Sequence, residues 1–100
     1  MGKKKDRVVY LHKRANDGKV FYVGIGTDKR AYTIQGRSDW WHRVVLKYGY
    51  YVDIIAENLT SKEAAEMEVS LIAKYGRRDL GEGYLVNLTD GAEGTVRPSK

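Results

Sequence analysis

Residues 7–24 have the sequence RVVYLHKRANDGKVFYVG, and this stretch decides the fold class of the chain. Residues 7–12 and residues 20–24 are rich in the β-branched and aromatic side chains that strands favour. Residues 15–18, Ala-Asn-Asp-Gly, lie between them and tolerate the left-handed backbone angles of a tight turn. We therefore predict a β-hairpin at the start of the domain.

Two helices are predicted after the hairpin. Asp28 is a helix-capping residue type, and we predict a short helix from there to about residue 35. Ser38 has the hydroxyl that an N-cap uses, and Gly49 occupies the C′ position at which glycine is favoured. These two residues place the second helix over residues 39–48.

A third strand and a third helix complete the predicted order. Residues 51–57 contain the apolar run of a strand, and a further short strand is predicted over residues 84–88. Thr60 and Glu63 have the spacing of a capping box, which begins a helix that we predict to end at Tyr75. The order ββααβα predicts an α+β fold with a small, mainly antiparallel three-stranded sheet flanked by helices.

Length and composition limit the class of protein. One hundred residues are enough for a single domain, in which we expect residues 1–6 to form a mobile basic arm and residues 92–100 a loose tail. The chain has no cysteine, which excludes a disulfide scaffold and a thiolate metal site. No apolar run approaches the ~20 residues of a membrane span, so we expect a cytoplasmic protein without membrane contact.

Charge is distributed unevenly along the chain. The formal net charge is +5, but residues 1–50 carry 12 Lys and Arg against 4 Asp and Glu, while residues 51–100 carry 6 against 9. A basic half joined to an acidic half suits an anionic ligand on one side and a cation on the other. An ordinary soluble surface accounts for the same totals, and charge alone leaves both interpretations open.

Glu68 is the residue that does not fit its helix. On a helical wheel it lies among Ala64, Leu71 and Ile72, within the apolar stripe, whereas Glu66 lies on the opposite, polar face. A carboxylate in that stripe is costly to bury unless it is paired, hydrogen-bonded or bound to a cation. Two explanations remain at this point: a structural partner such as Arg or Tyr, or a carboxylate that faces a cleft and holds a hard cation such as Mg²⁺.

The hairpin resembles the paired signature of the GIY-YIG nuclease family. Val8-Val9-Tyr10 and Tyr22-Val23-Gly24 correspond to the two tripeptides, with twelve residues from Tyr10 to Tyr22. The second tripeptide matches conservatively, whereas the first has kept only its tyrosine. The resemblance continues to about residue 90, so that it covers most of the chain.

Three later elements extend the resemblance. Arg30 follows the second tripeptide at about the distance of the family's catalytic arginine, Glu68 matches its metal-binding glutamate, and Asn87 matches its asparagine. The family usually has His or Tyr one helical turn after the arginine, where this chain has Ile34. Tyr32 or His42 could take that place.

The resemblance implies a metal-dependent endonuclease that hydrolyses DNA phosphodiester bonds, and RNA is not excluded as a substrate. Glu68 would hold Mg²⁺ or Mn²⁺, Arg30 would hold the phosphate, and water would be activated near Tyr10. Tyr22 would hydrogen-bond in the same site and Asn87 would brace it. Each residue also has a structural alternative, since the tyrosines can be cross-strand packing partners and Asn87 can satisfy a turn.

Residues around the second helix are candidates for contact with nucleic acid. One of two adjacent tryptophans must point outward at 100° spacing and can stack on a base. Basic side chains nearby would contact the phosphate backbone or merely keep the helix soluble. The predicted contact residues are Lys29, Arg37, Trp40, Arg43 and Lys47.

The small stand-alone form resembles phage or mobile-element products of the family, in a bacterial or phage-infected host cell. Homing and restriction relatives of the family attach extra DNA-reading segments to the catalytic module, and this chain has little room for one. We therefore expect weak sequence specificity, or dependence on a homodimer or an accessory protein. The alternative functions are a nucleic-acid-binding module that has lost catalysis and a protein-interaction domain that merely shares the fold.

Overall fold

The computed structural model describes residues 4–88 and residue 91 of the chain. Its strands form one three-stranded antiparallel sheet in which β1 lies between β2 and β3. The predicted hairpin and the predicted α+β class are confirmed. The elements in chain order are β1 (Arg7–Arg14), β2 (Val20–Gly26), α1 (Asp28–Ala31), α2 (Asp39–Tyr48), β3 (Tyr50–Leu59), α3 (Ser61–Tyr75) and a 3-10 turn (Arg78–Leu80).

Both faces of β1 are covered, so that residues 8–12 are all buried. Because side chains alternate along a strand, Val9 and Leu11 point to one face, where they pack with Ala64 and Ile72 of α3. Val8 and Tyr10 point to the other face, against α1. The central strand therefore separates an aliphatic core from the face that carries the candidate site.

The ends of α2 and α3 follow the predicted caps. The Ser38 hydroxyl accepts a hydrogen bond from the backbone N–H of Trp41 at 3.1 Å. Thr60 and Glu63 form the complete capping box, with the Thr60 N–H donating to the Glu63 carboxylate at 2.8 Å. Gly49, with a φ of 70°, follows α2 at the predicted C′ position.

The first helix is shorter than predicted, because α1 ends at Ala31 rather than near residue 35. Its last carbonyls accept hydrogen bonds from side chains as well as from the backbone, where the Thr33 N–H donates to the Arg30 carbonyl at 3.2 Å. The Ala31 carbonyl lies 2.8 Å from His12 Nε2, and the Arg30 carbonyl accepts from Arg37 Nη2 at 2.8 Å. Gly36, with a φ of 76°, then turns the chain toward α2.

Within the described part of the chain, no strand forms over residues 84–88. Leu85 makes only an isolated parallel bridge with Arg77, and the Val86 N–H donates to the Phe21 carbonyl at 2.8 Å. The predicted tail, residues 92–100, and residues 1–3 of the predicted arm lie outside the described residues. No described helix has the length and apolar character needed to cross a membrane.

Candidate active site

A cleft of about 200 Å³ opens where β2, the α1–α2 connection, α2, α3 and residues 86–88 meet. It contains three of the predicted catalytic residues, Tyr22, Glu68 and Asn87. It also contains Arg37, which the sequence predicted as a nucleic-acid contact. The remaining lining residues are Gly36, Ser38, Trp41, Val86 and Leu88.

Arg37 is fixed in the cleft by three hydrogen bonds. Its side chain is only 9% exposed. Nε donates to the Thr33 carbonyl at 2.9 Å, Nη2 to the Arg30 carbonyl at 2.8 Å and Nη1 to the Tyr10 hydroxyl at 3.2 Å. Two backbone carbonyls and one hydroxyl therefore hold the guanidinium in place, and none of these partners neutralises its charge.

Aromatic rings surround the same guanidinium. Arg37 Cζ lies 5.2 Å from the ring centroid of Tyr22 and 5.7 Å from those of Tyr10 and Trp41. At these distances the ring faces attract a cation, and the attraction is stronger when water is excluded. No described carboxylate forms an ion pair with Arg37. Among the described residues, the groups in direct contact with the guanidinium are thus dipoles and π-systems.

Tyr10 lies behind the cleft rather than in its wall. Its ring is 1% exposed, and its hydroxyl accepts the Arg37 hydrogen bond. The opposite residue in the strand pair is Gly24, at which a Cβ would overlap the Tyr10 ring. The Tyr22-Val23-Gly24 tripeptide therefore leaves room for Tyr10, and the tyrosine that lines the cleft is Tyr22.

Tyr22 has a hydroxyl that stays protonated at neutral pH. Burial raises the pKa of Tyr22 above its ordinary value, and the neighbouring Tyr10 shifts it in the same direction. The Arg37 guanidinium opposes this shift but does not overcome it. Tyr22 thus offers the cleft a neutral phenol, which can both donate and accept a hydrogen bond.

His12 connects the sheet to both α1 and α2. The Trp41 indole N–H donates to His12 Nδ1 at 2.9 Å, and because an indole nitrogen only donates, the ring proton must be on Nε2. Nε2 then donates to the Ala31 carbonyl at 2.8 Å. Desolvation by burial lowers the pKa of His12 to about 4, so that the ring is neutral at pH 7.

Glu68 is half-buried on α3 and lines the cleft, whereas the helical wheel had left a structural partner and a cleft-facing carboxylate both open. The buried Gly91 lies close to it, since a Cβ added at Gly91 would be 3.0 Å from Glu68 Oε1. Glu66 is exposed on the other side of the helix. Residues 4–88 and 91 contain no group of three or more His, Cys, Asp and Glu side chains that could hold a metal.

Asn87 braces the edge of the sheet beside the cleft. Its Oδ1 accepts from the Val23 N–H at 3.0 Å and its Nδ2 donates to the Val23 carbonyl at 2.8 Å. The amide side chain thereby replaces a neighbouring strand at this point of β2. Both backbone groups of Val23 are therefore hydrogen-bonded at this edge of β2 although residues 84–88 form no strand.

Arg30 and Lys29 lie outside the cleft. The Arg30 Nη1 donates to the Gln35 carbonyl at 3.1 Å, and its Cβ and Cγ pack against Gly26. Lys29 is exposed and borders a different hollow of about 350 Å³, together with Lys5 and Asp28. The predicted phosphate-binding arginine is thus near the site, while the guanidinium in the cleft is that of Arg37.

The predicted contact residues of α2 differ in exposure. Trp41 is the inward tryptophan, and Trp40 is half-buried with the Arg78 guanidinium 5.6 Å from its ring centroid. Arg43 and Lys47 are exposed. His42 is exposed too, with its ring 5.0 Å from that of Trp41, and it does not border the cleft.

Sequence reasoning missed the positioning role of His12 and the burial of Arg37. For His12 a signal was present, because it follows Tyr10 by two residues and therefore points to the same face of β1. For Arg37 no local signal existed, since its partner Tyr10 is 27 residues away in the chain.

Searches of protein families, curated proteins and solved structures find no match to this chain.

Proposed function

We propose that the protein is a Mg²⁺-dependent endonuclease that hydrolyses phosphodiester bonds of DNA at this cleft. The observation that carries the proposal is the lining of one cleft by the Glu68 carboxylate, the Arg37 guanidinium and the Tyr22 phenol. Phosphodiester hydrolysis needs a water in line with the leaving oxygen and stabilisation of negative charge on the phosphate. Each of these needs has a suitable side chain in the cleft.

Glu68 would hold the divalent cation. It is the one carboxylate among the described residues that line the cleft. A single carboxylate fits Mg²⁺, because this ion keeps several waters and is often completed by the phosphates of the substrate. Mn²⁺ accepts the same oxygen ligands. When bound, the cation would polarise the phosphate and stabilise the leaving oxygen.

The chain's own residues would orient the attacking water. The Tyr22 phenol is neutral because its pKa is raised, so it would fix a water by hydrogen bonding rather than take its proton as a phenolate. The sequence had assigned the water to Tyr10, whose burial favours Tyr22 for this contact. Asn87 would act indirectly, by holding β2 and hence Tyr22 in place.

Nicking of supercoiled plasmid tests the proposal. We expect Mg²⁺-dependent conversion to the open circle by the wild-type protein and a loss of at least about 100-fold in Glu68→Gln. Glu66→Gln is the matched control, since it removes an exposed carboxylate from the same helix and should leave cleavage unchanged. Absence of Mg²⁺-dependent nicking, or equal losses in the two variants, would refute the proposal.

A DNA-binding module without catalysis is the second candidate. It is favoured by Ile34, which occupies the family's His or Tyr position, is 54% exposed and has no group that transfers a proton. This candidate predicts salt-sensitive DNA binding, through phosphate contacts, without turnover. The exposed basic residues Arg43 and Lys47 would serve either function.

A further inference from the structure

We infer that Arg37, rather than Arg30, is the residue that contacts a phosphodiester oxygen of the nucleic acid bound in the cleft. The inference rests on the proposed function for the identity of the ligand. The evidence for an anion at Arg37 comes from its burial, its hydrogen bonds and the charges around it. Tyr10 then acts as a positioning residue that holds the guanidinium from behind.

The first evidence is a buried cation without a carboxylate partner. Arginine is almost never fully buried unless it is paired, because removal of its charge from water is costly. Arg37 is 9% exposed, and no ion pair to it exists in the part of the chain that the structure describes. An anionic ligand in the cleft would supply a negative charge that bonds directly to the guanidinium.

The second evidence is the number of donors that the guanidinium has left. An arginine side chain carries five N–H groups, and Arg37 directs three of them to Thr33, Arg30 and Tyr10. One N–H on each Nη atom remains, and both belong to a side chain that lines the cleft. Two donors on adjacent nitrogens match the two non-bridging oxygens of a phosphodiester.

Arg30 lacks these properties. Its guanidinium donates to the Gln35 carbonyl and is not among the groups that line the cleft, and its backbone carbonyl is an acceptor for Arg37. In this chain Arg30 therefore helps to fix Arg37 through its main chain. A side chain that contacts substrate must reach the cleft, and Arg37 does so without any rearrangement.

The negative charge of Glu68 in the same cleft limits the kinds of anionic ligand that can bind beside Arg37. A simple anion beside Arg37 would also be close to the Glu68 carboxylate and would be repelled by it. A phosphodiester that arrives with a divalent cation presents an opposite charge to each of the two side chains. We therefore expect the anion site to be occupied well only when the nucleic acid and the cation are both present.

Arginine side-chain NMR of the wild-type protein provides a direct test. The probe is a short DNA duplex with Ca²⁺, which replaces Mg²⁺ to permit binding without turnover. We expect the Arg37 Nε–H signal to shift and saturate, and the Arg30 signal to remain unchanged. The matched control is the same duplex with neutral methylphosphonate linkages, which should leave both signals unchanged. A shift of Arg30 alone, or of neither residue, would overturn the inference.

Kinetics of the two conservative variants separate this inference from the proposed function. Arg37→Lys keeps the charge but loses the forked donors, and we expect kcat to fall about 100-fold, as when one preorganised donor to a developing oxyanion is removed. Arg30→Lys should change kcat by no more than about twofold. If the wild-type protein and Arg37→Lys both nick DNA but Arg30→Lys does not, the inference about Arg37 is refuted. The proposal that the protein is an endonuclease is then still supported.

Absence of wild-type nicking, with an Arg37 signal that still shifts, would refute the endonuclease and leave the anion site standing. Thermal unfolding monitored by circular dichroism shows whether each variant is folded. If Arg37→Lys does not fold, the NMR result on the wild-type protein decides the question, because it requires no substitution.

Discussion

The two faces of β1 have opposite chemistry although they belong to the same eight residues. Toward α3, Val9 and Leu11 pack in an aliphatic layer with Ile72. Toward α1 and α2, Tyr10 and His12 enter a network of hydrogen bonds and stacked rings. One face is stabilised by burial of apolar area, and the other by the pairing of polar groups in a dry environment.

Because of this difference, the aliphatic face of β1 mainly stabilises the fold, whereas the polar face positions the side chains of the cleft. The aliphatic layer is non-directional and tolerates small changes of shape. The polar layer is directional, because Arg37 and His12 hydrogen-bond carbonyls of the α1 region and thereby fix that region relative to the sheet. We expect the aliphatic face to respond to side-chain volume and the polar face to respond to pH and to single hydrogen bonds.

The largest effect is expected from Ile72→Ala, on the aliphatic face. Ile72 is 1% exposed, and its truncation leaves a cavity beneath Val9 and Leu11. We expect a loss of about 3 to 4 kcal/mol in the free energy of unfolding, at neutral and at acidic pH alike. Urea denaturation at pH 7 and pH 5 measures both values. Met67→Ala, on the exposed part of the same helix, is the control and should lose less than about 1 kcal/mol.

The second largest effect is expected when acid protonates His12 on the polar face, which lowers the free energy of unfolding. The pKa of His12 is about 4 in the folded protein and 6.5 in the unfolded chain. Between these values the unfolded state binds more protons, so stability is complete above pH 6.5 and is lost as pH falls toward 4. The loss attributable to His12 is about 3 kcal/mol from pH 7 to pH 4.

His12→Gln and His42→Gln separate this contribution from that of the carboxylates. Both variants are unfolded by urea across the pH range, and the comparison is the slope of unfolding free energy against pH. His12→Gln should flatten the slope between pH 6.5 and pH 4, whereas the exposed His42→Gln should reproduce the wild type. Identical slopes in the two variants would contradict the buried, neutral state of His12.

The aliphatic layer and the ends of α2 and α3 could be predicted from the sequence because their signals are local. Ser38 caps α2, and Thr60 with Glu63 caps α3, through bonds that span three residues. Side chains alternate along β1, so a strand assignment is enough to place Val9 and Leu11 on one face. The half-buried position of Glu68 followed from helical geometry in the same way.

The polar layer could not be predicted in this way, because long-range contacts fix it. The predicted length of α1 was wrong since His12, 19 residues before Ala31, satisfies the last carbonyl of that helix. Arg37 was predicted as a nucleic-acid contact because it extends the basic residues that accompany the tryptophans of α2. Its burial depends on a hydroxyl supplied by another strand and on the space that Gly24 leaves there.

The smallest effect is expected from Tyr10→Phe, which removes one hydroxyl from the polar face. The ring remains packed against Gly24, but Arg37 Nη1 loses its acceptor. We expect a loss of about 1 to 2 kcal/mol in the free energy of unfolding. Tyr32→Phe, at a tyrosine that is 62% exposed, should change it by less than about 0.5 kcal/mol.

The same substitution distinguishes a tyrosine that positions Arg37 from one that touches the attacking water. If Tyr10 acts through Arg37, Tyr10→Phe should shift the Arg37 side-chain NMR signal and weaken binding of the DNA duplex, while the pH dependence of nicking stays that of the wild type. Tyr22→Phe should instead lower kcat, because the cleft loses the phenol that orients water. A pH profile of nicking that is altered by Tyr10→Phe but not by Tyr22→Phe would show that Tyr10, rather than Tyr22, contacts the attacking water. The polar face of β1 would then take part in the reaction itself instead of only positioning Arg37.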